Sequence, residues 1–329
     1  MLYKSLLIIC LYLPFQLALN PAAGIDLASI RVLILVLFLA WLAQGLKEKK
    51  LVVKNNLQAW LVASFLFINA FSIIAARNTD WSLRKLMFLF SIFPLYFVAS
   101  DIISSKARAM KIIKNLVLSG SAAALIGIVQ FIAQFVIGLD QIYAIWAKFV
   151  IIPFLGESFG EAVLKNPSWL VNIGGQTYLR ATSLFPDPHM FSFYLGLLLP
   201  LSLGLLLQAK EKKTWLAASF AAIFVADLLT FSRGGYLGLV AGLVFVGIMF
   251  WHKIEKKHKI MVGILAFLGA MIMLVPSPIS QRLFSIFDLK EGSNQGRLAM
   301  WEKALEVTAD KPVLGTGIGN YPLEVLPTA

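Results

Sequence analysis

Two arginines stand among glycine, serine and threonine in an otherwise apolar sequence: Arg180 in Tyr178-Leu-Arg-Ala-Thr182 and Arg233 in Thr230-Phe-Ser-Arg-Gly-Gly-Tyr236. A planar guanidinium grips phosphate oxygens two at a time. Backbone NH groups at Gly234-Gly235, where a helix is expected to begin, would add to the same anion site. The chemistry these residues predict is the binding of a phosphorylated lipid, with a diphosphate as the simplest ligand. Arg31, and Arg84 with Lys85, sit near the ends of apolar runs and are weaker candidates, because such side chains also snorkel to lipid headgroups. Arg297 is a further candidate near the end of the chain.

Other residues with chemical potential have plainer readings beside the functional one. Asp227 is the lone acid in its apolar run; in a transporter it would relay protons, and otherwise it is a polar neighbour or partner of Arg233. His189, in Pro186-Asp-Pro-His-Met190, could serve as a general base, although a residue in such a turn more often caps a helix or bonds a loop. Gly315-Thr-Gly-Ile-Gly-Asn320 looks like a phosphate loop but lacks the glycine spacing and the preceding strand. The single cysteine, Cys10, excludes an internal disulfide and a cysteine-based metal cluster. The histidines (His189, His252, His258) have no metal-site spacing. No metal and no cofactor are expected.

The elements that must position these residues follow from composition. Of the 329 residues, 59% are apolar and 14% charged, against about 45–50% and 25% in soluble domains, and the mean hydropathy is +0.81. A bilayer core needs about 20 apolar residues per helix. Apolar runs fall at 2–19, 25–46, 57–76, 83–103, 116–139, 190–208, 215–230, 236–251 and 260–275. The fold class expected is therefore an all-α, polytopic helical membrane protein with about nine spans. Pro14 and Pro94 lie inside runs and are expected as kinks.

Charge then sets orientation. Lys47, Lys49, Lys50 and Lys54 follow the second run, Lys106, Arg108, Lys111 and Lys114 the fourth, Lys210, Lys212 and Lys213 the sixth, and Lys253, Lys256, Lys257 and Lys259 the eighth. Every even connection is basic, which by the positive-inside rule puts these loops and the N-terminus in the cytoplasm. The net charge of +12 thus reports topology and contact with anionic membrane lipids, not nucleic acid. Residues 140–189, the turn 231–235 and the tail 276–329 then share the outer face. Within 140–189, Ile142–Leu155 is too short to span and reads as an interfacial or re-entrant helix, followed by a loop. Leu298, Trp301, Leu305 and Thr308 recur at helical spacing, which predicts an amphipathic surface helix over 296–308, ended at Lys311-Pro312. The organisation expected is a membrane bundle over 1–275, including the outer loop 140–189, and the start of a large outer loop over 276–329.

Three stretches together resemble the O-antigen ligase and polymerase superfamily (Wzy_C-type) of polytopic glycan transferases. Leu179–Leu195 is similar to the family's Arg-Ala-(Ser/Thr)-Gly-Phe followed by a proline turn into a helix. Thr230–Leu239 resembles its Ser-Arg-Gly helix start. Gly296–Leu305 with Lys311–Asn320 is similar to its Arg-x-x-x-Trp and Pro-x-x-Gly-x-Gly-x-Gly elements. The resemblance covers about 175–320; before that only hydropathy agrees. It implies that Arg180 and Arg233 hold the diphosphate of a polyprenyl-linked glycan donor, with Arg297, Arg84 and Arg31 as further binding residues. The family's loop histidine has no match, since no histidine follows His258. The expectation is a chain that stops inside the outer loop, before the last spans, and is inactive alone.

The function implied is transfer of a glycan from a polyprenyl-diphosphate carrier to a glycan or lipid A core acceptor at the outer face of the cytoplasmic membrane. Ligase and polymerase both remain open. The alternative from another class is a secondary transporter or lipid-glycan flippase, which predicts inverted repeats and charged groups deep in the bundle.

Overall fold

A computed structural model describes residues 1–22, 25–51, 53, 55–165, 167–209, 213–250, 259, 263, 278–285 and 292–325. The expected ninth span (260–275), the lysines after the eighth other than Lys259, and His252 and His258 lie outside the described residues.

The protein is a helical membrane protein. Five of its helical stretches are long and apolar enough to cross a bilayer among the described residues: Ser29–Lys47, Leu57–Ala75, Thr79–Ile102, Lys106–Ile137 and Pro188–Gln208. Leu2–Phe15 and Thr214–Leu229 are shorter apolar helices. Large apolar side chains such as Val136 and Leu197 are 76% and 73% exposed. Bare apolar surface on this scale marks lipid contact, not a water-facing exterior.

In chain order the helices are α1 (Leu2–Tyr12), α2 (Ser29–Lys47), α3 (Leu57–Phe71), α4 (Thr79–Ile92), α5 (Pro94–Ile102) and α6 (Lys106–Ile137). The short α7 (Leu139–Trp146), α8 (Ile152–Leu155) and α9 (Glu157–Leu164) come next, then α10 (Pro188–Gln208), α11 (Lys213–Leu229) and α12 (Arg233–Phe250). The last three are α13 (Pro278–Phe284), α14 (Gly292–Asp310) and α15 (Pro322–Val325). Two antiparallel hairpins interrupt the helices: β1 (Ala18–Ala22) with β2 (Ile25–Ala28), and β3 (Leu170–Ile173) with β4 (Gln176–Leu179).

The first hairpin departs from the sequence reading, which ends the first run at residue 19 and begins the second at 25, so that 18–19 and 25–28 fall inside them. Asn20-Pro21 lies within it, and proline disfavours the helical region for the residue before it. The Ser29 NH bonds to the Leu17 carbonyl at 2.9 Å and leads directly into α2. Pro94 does more than kink its run: α4 ends at Ile92 and proline occupies the first turn of α5, where its missing NH is harmless. The expected interfacial stretch is helical, with a π-turn over Ala147–Ile151. What was expected as loop after it holds the second hairpin.

The chain divides into two units. The first comprises Met1–Leu6, Arg31–Lys106 and Asp288–Ala329; the second, Leu7–Ile30 and Ala107–Phe287. The second has the larger core, in which Val117, Phe131, Phe191, Leu195, Leu199 and Ile223 of α6, α10 and α11 pack together. Trp169 and Leu179 close a smaller cluster over Ile142 and Ile151.

Candidate functional site

Arg180 is delivered by the second hairpin. Ile173 pairs with Gln176, so the loop is Gly174-Gly175 alone, and both have positive φ (60° and 84°), as a tight hairpin turn of this twist requires. The strands end with the Arg180 NH bonded to the Trp169 carbonyl at 2.9 Å. Arg180 is 2% exposed. Its Nε donates to the Thr230 carbonyl at 2.7 Å and its Nη1 to the Ser168 carbonyl at 2.8 Å. Nη2 is buried with no hydrogen-bond partner among the described residues.

Arg233 comes from the turn between α11 and α12. Thr230 Oγ1 donates to the Asp227 carbonyl at 2.6 Å and accepts from the Ser232 NH at 3.2 Å. Ser232 Oγ accepts from the Gly235 NH at 3.2 Å, which caps α12 just before Arg233. Between them Phe231 has φ 48° while 3% exposed, its ring against Phe131 and Tyr178. A bulky residue at positive φ is strained and persists only where its surroundings fix it. Arg233 is 4% exposed, and Nη1 donates to the carbonyl of Ser285 at 3.0 Å and to its Oγ at 3.3 Å.

The two arginines singled out in the sequence therefore meet around one turn. A third, which the sequence reading did not mark, joins them: Arg282 of α13, whose Nε donates to the Phe231 carbonyl at 3.4 Å. Burial, and next the charge of Arg282, push the Arg180 guanidinium below its ordinary value, and Arg233 adds in the same direction. Tyr236 and Asp187 act oppositely. Three guanidiniums gathered in a poorly hydrated place repel one another, and a nearby anion would relieve that repulsion.

The remaining candidates fall as follows. His189 Nδ1 is 2.9 Å from Ser232 Oγ, so it touches the residue preceding Arg233. Asp187 caps α10, its Oδ1 accepting from the NH groups of His189 and Met190 at 2.7 and 2.9 Å. Asp227 Oδ1 accepts from Ser192 Oγ at 2.5 Å, and Oδ2 has no hydrogen-bond partner among the described residues. Arg31, Arg84 and Arg297 belong to the other unit. Arg31 lies over the Phe88 ring at 4.4 Å, and Lys85 shares that ring at 5.2 Å, a cation–π arrangement. Arg84 and Arg297 are exposed on α4 and α14.

Two glutamines also escaped the sequence reading. Gln130 and Gln134 of α6 are buried and bond the backbone from Leu179 to Ser183. Their signal was available: two amides four residues apart in an apolar run are as unusual there as a charge. Arg282 had no comparable signal, lying in a polar tail with no motif around it.

In the first unit the glycine-rich segment has a packing role. Gly315, Gly317 and Gly319 all have positive φ. A Cβ on Gly317 would stand 2.7 Å from Ala76 Cα. Asn320 is 1% exposed; its Oδ1 accepts from the Asn78 NH at 2.7 Å and its Nδ2 donates to the Asn78 carbonyl at 3.1 Å and Ser82 Oγ at 2.8 Å. The Ile318 NH and carbonyl are taken by Ser72 and Ser82. The loop's amides thus clamp the connection from α3 to α4.

A protein-family model described as O-antigen ligase matches residues 217–327, a stretch that includes Arg233, Arg282, Arg297 and the glycine clamp. No curated protein and no solved structure matches the chain. Over residues 217–327 the chain is similar to the O-antigen ligase family.

Proposed function

We propose that the protein transfers a glycan from a polyprenyl-diphosphate carrier to a glycan or lipid A core acceptor at the outer face of the cytoplasmic membrane. Arg180 and Arg233 bind the diphosphate, and Arg282 completes the cluster. The observation that carries this reading is the Arg180 Nη2 group, buried and without an acceptor among the described residues, beside two more guanidiniums. Leaving such a donor unpaired costs about 1–3 kcal/mol, more when charged. A phosphate oxygen supplies the missing acceptor to Arg180 Nη2, and a diphosphate diester brings negative charge to the place where the guanidiniums gather.

The chemistry needs little else. An acceptor hydroxyl attacks the anomeric carbon and gives up its proton to water, and the bond to the carrier's phosphate oxygen breaks with its electron pair on that oxygen. Guanidiniums fixed in a low-dielectric site stabilise the growing charge, so no metal need assist. The basic loops support a cytoplasmic N-terminus, with the arginine turn and the stretch 276–329 on the opposite face. The division into a membrane bundle over 1–275 and an outer loop from 276 onward belongs to the same proposal.

The test is the surface-glycan ladder and the carrier-lipid pool in cells lacking the full-length gene, complemented with wild type or Arg233→Ala. Long polymer held on the carrier with a bare acceptor identifies a ligase, and single repeat units on the acceptor identify a polymerase. A ladder unchanged by the deletion overturns glycan transfer and favours a transporter or flippase, read as flux through proteoliposomes without covalent change.

A further inference from the structure

The loop that carries Arg180 leaves β4 at Leu179 and has no strand partner beyond it among the described residues, yet its residues are buried through Thr182 and Ser183. Buried NH and carbonyl groups must be paired by something. Gln130 and Gln134 stand four residues apart on α6 and so share one side of the helix. An amide side chain offers a carbonyl and an NH2 at nearly the spacing of a peptide group.

Gln134 uses both ends on one residue, its Oε1 accepting from the Leu179 NH at 2.9 Å and its Nε2 donating to the Leu179 carbonyl at 3.0 Å. It pairs with Leu179 as a neighbouring strand would. Gln130 Oε1 accepts from the NH groups of Thr182 and Ser183, both at 2.9 Å, and from Thr182 Oγ1 at 3.3 Å, while Nε2 donates to the Arg180 carbonyl at 3.2 Å. The two amides hold the backbone at residue 179, at residue 180 itself and at residues 182 and 183, while the Ala181 NH bonds to the Leu229 carbonyl at 3.0 Å. Ser183, at φ 52°, is held further by Trp146 Nε1 at its carbonyl and by its own Oγ on the Ala123 carbonyl, both at 2.8 Å.

We propose that Gln130 and Gln134 are positioning residues for Arg180. They fix its backbone against α6 while the carbonyls of Thr230 and Ser168 fix Nε and Nη1, so that Nη2 is the edge left for the ligand. The proposal rests on the reading of Arg180 as a diphosphate ligand. It concerns placement alone: neither glutamine touches the diphosphate, and an apolar residue could fill the same volume but could not hold the loop. Misplacing a binding group by about 1 Å can cost two orders of magnitude in rate, so a loop held at both sides of one arginine has functional weight.

The test is a double-mutant cycle in the full-length protein in nanodiscs, reading the affinity for a polyprenyl diphosphate and the Tm. Gln134→Met keeps the length and removes both polar groups. It is expected to weaken binding about tenfold with a small change in Tm, consistent with the loss of its two hydrogen bonds to the loop. In an Arg180→Ala background the same change is expected to matter less than about twofold, because the residue it acts through is gone. Gln130→Met is expected to follow the same pattern. Should Gln134→Met not accumulate, Gln134→Asn keeps the amide and withdraws it by one methylene, with the same expectation. Equal weakening in both backgrounds, or unchanged binding with Arg180 present, overturns the positioning role. If Arg180→Ala itself leaves binding intact, the diphosphate reading falls and this inference with it.

Discussion

Arg233 is held by a backbone carbonyl and a hydroxyl of Ser285, so its planar fork is oriented before any ligand arrives. A lysine at this position would keep the charge and lose the fork. Arg233→Lys is therefore expected to lower transfer about tenfold or more, the scale of one charge-assisted hydrogen bond, measured as initial rate at saturating acceptor. Full activity in this variant would mean that charge alone suffices. Arg282 is predicted to behave as a ligand of the same anion: Arg282→Ala should raise the donor KM more than it lowers kcat, because it removes one of three charges and leaves Arg180 and Arg233 in place.

At the scale of elements, the site depends on how closely α10 approaches α12. A Cβ on Gly235 would stand 1.7 Å from Ser192 Oγ and 2.8 Å from Ser192 Cβ, whereas the nearest atom to a Cβ on Gly234 is 3.9 Å away. Overpacking of this kind costs about 1–3 kcal/mol. Gly235→Ala should lower the Tm in detergent, and Gly234→Ala should leave it nearly unchanged; equal effects would show that helix propensity and not the approach of Ser192 governs this position. The glycine clamp makes a parallel case. Gly317→Ala sets a Cβ against the backbone of Ala76 at a φ of 82°, so it should expose 311–325 to protease. Gly315→Ala, at a φ of 61° with no neighbour within 4 Å, bears only the left-handed penalty of about 1–2 kcal/mol and should be cleaved more slowly.

For the whole molecule, the proposed transfer assigns to three guanidiniums the charge stabilisation that a metal ion often supplies. Transfer is expected to survive a chelator undiminished, measured with a lipid-linked donor in reconstituted membranes. Loss of activity restored by a divalent cation would contradict an arginine-only account. The architecture supplies a dry, shaped place for that cluster at a turn between two apolar helices, where the low dielectric strengthens each contact.

Hydropathy alone determined that the chain is a helical membrane protein, because the bilayer imposes one length and one polarity on every crossing. The arginines at 180 and 233 were legible for the same reason, since charge in apolar surroundings is costly enough to stand out. The break between the first two runs was legible, but the hairpin that fills it was not, because apolar strands and apolar helices look alike in composition. The glycine segment's clamp on Asn78 and Ser82 joins residues 242 and 238 positions apart, a separation no local pattern encodes. The tertiary structure alone decided that Arg180 and Arg233 share one turn, that Arg282 joins them, and that Gln130 and Gln134 set the loop between. Such meetings depend on which helix faces pack together, and packing is settled by side-chain shape across the whole core, whereas sequence records only the order along the chain.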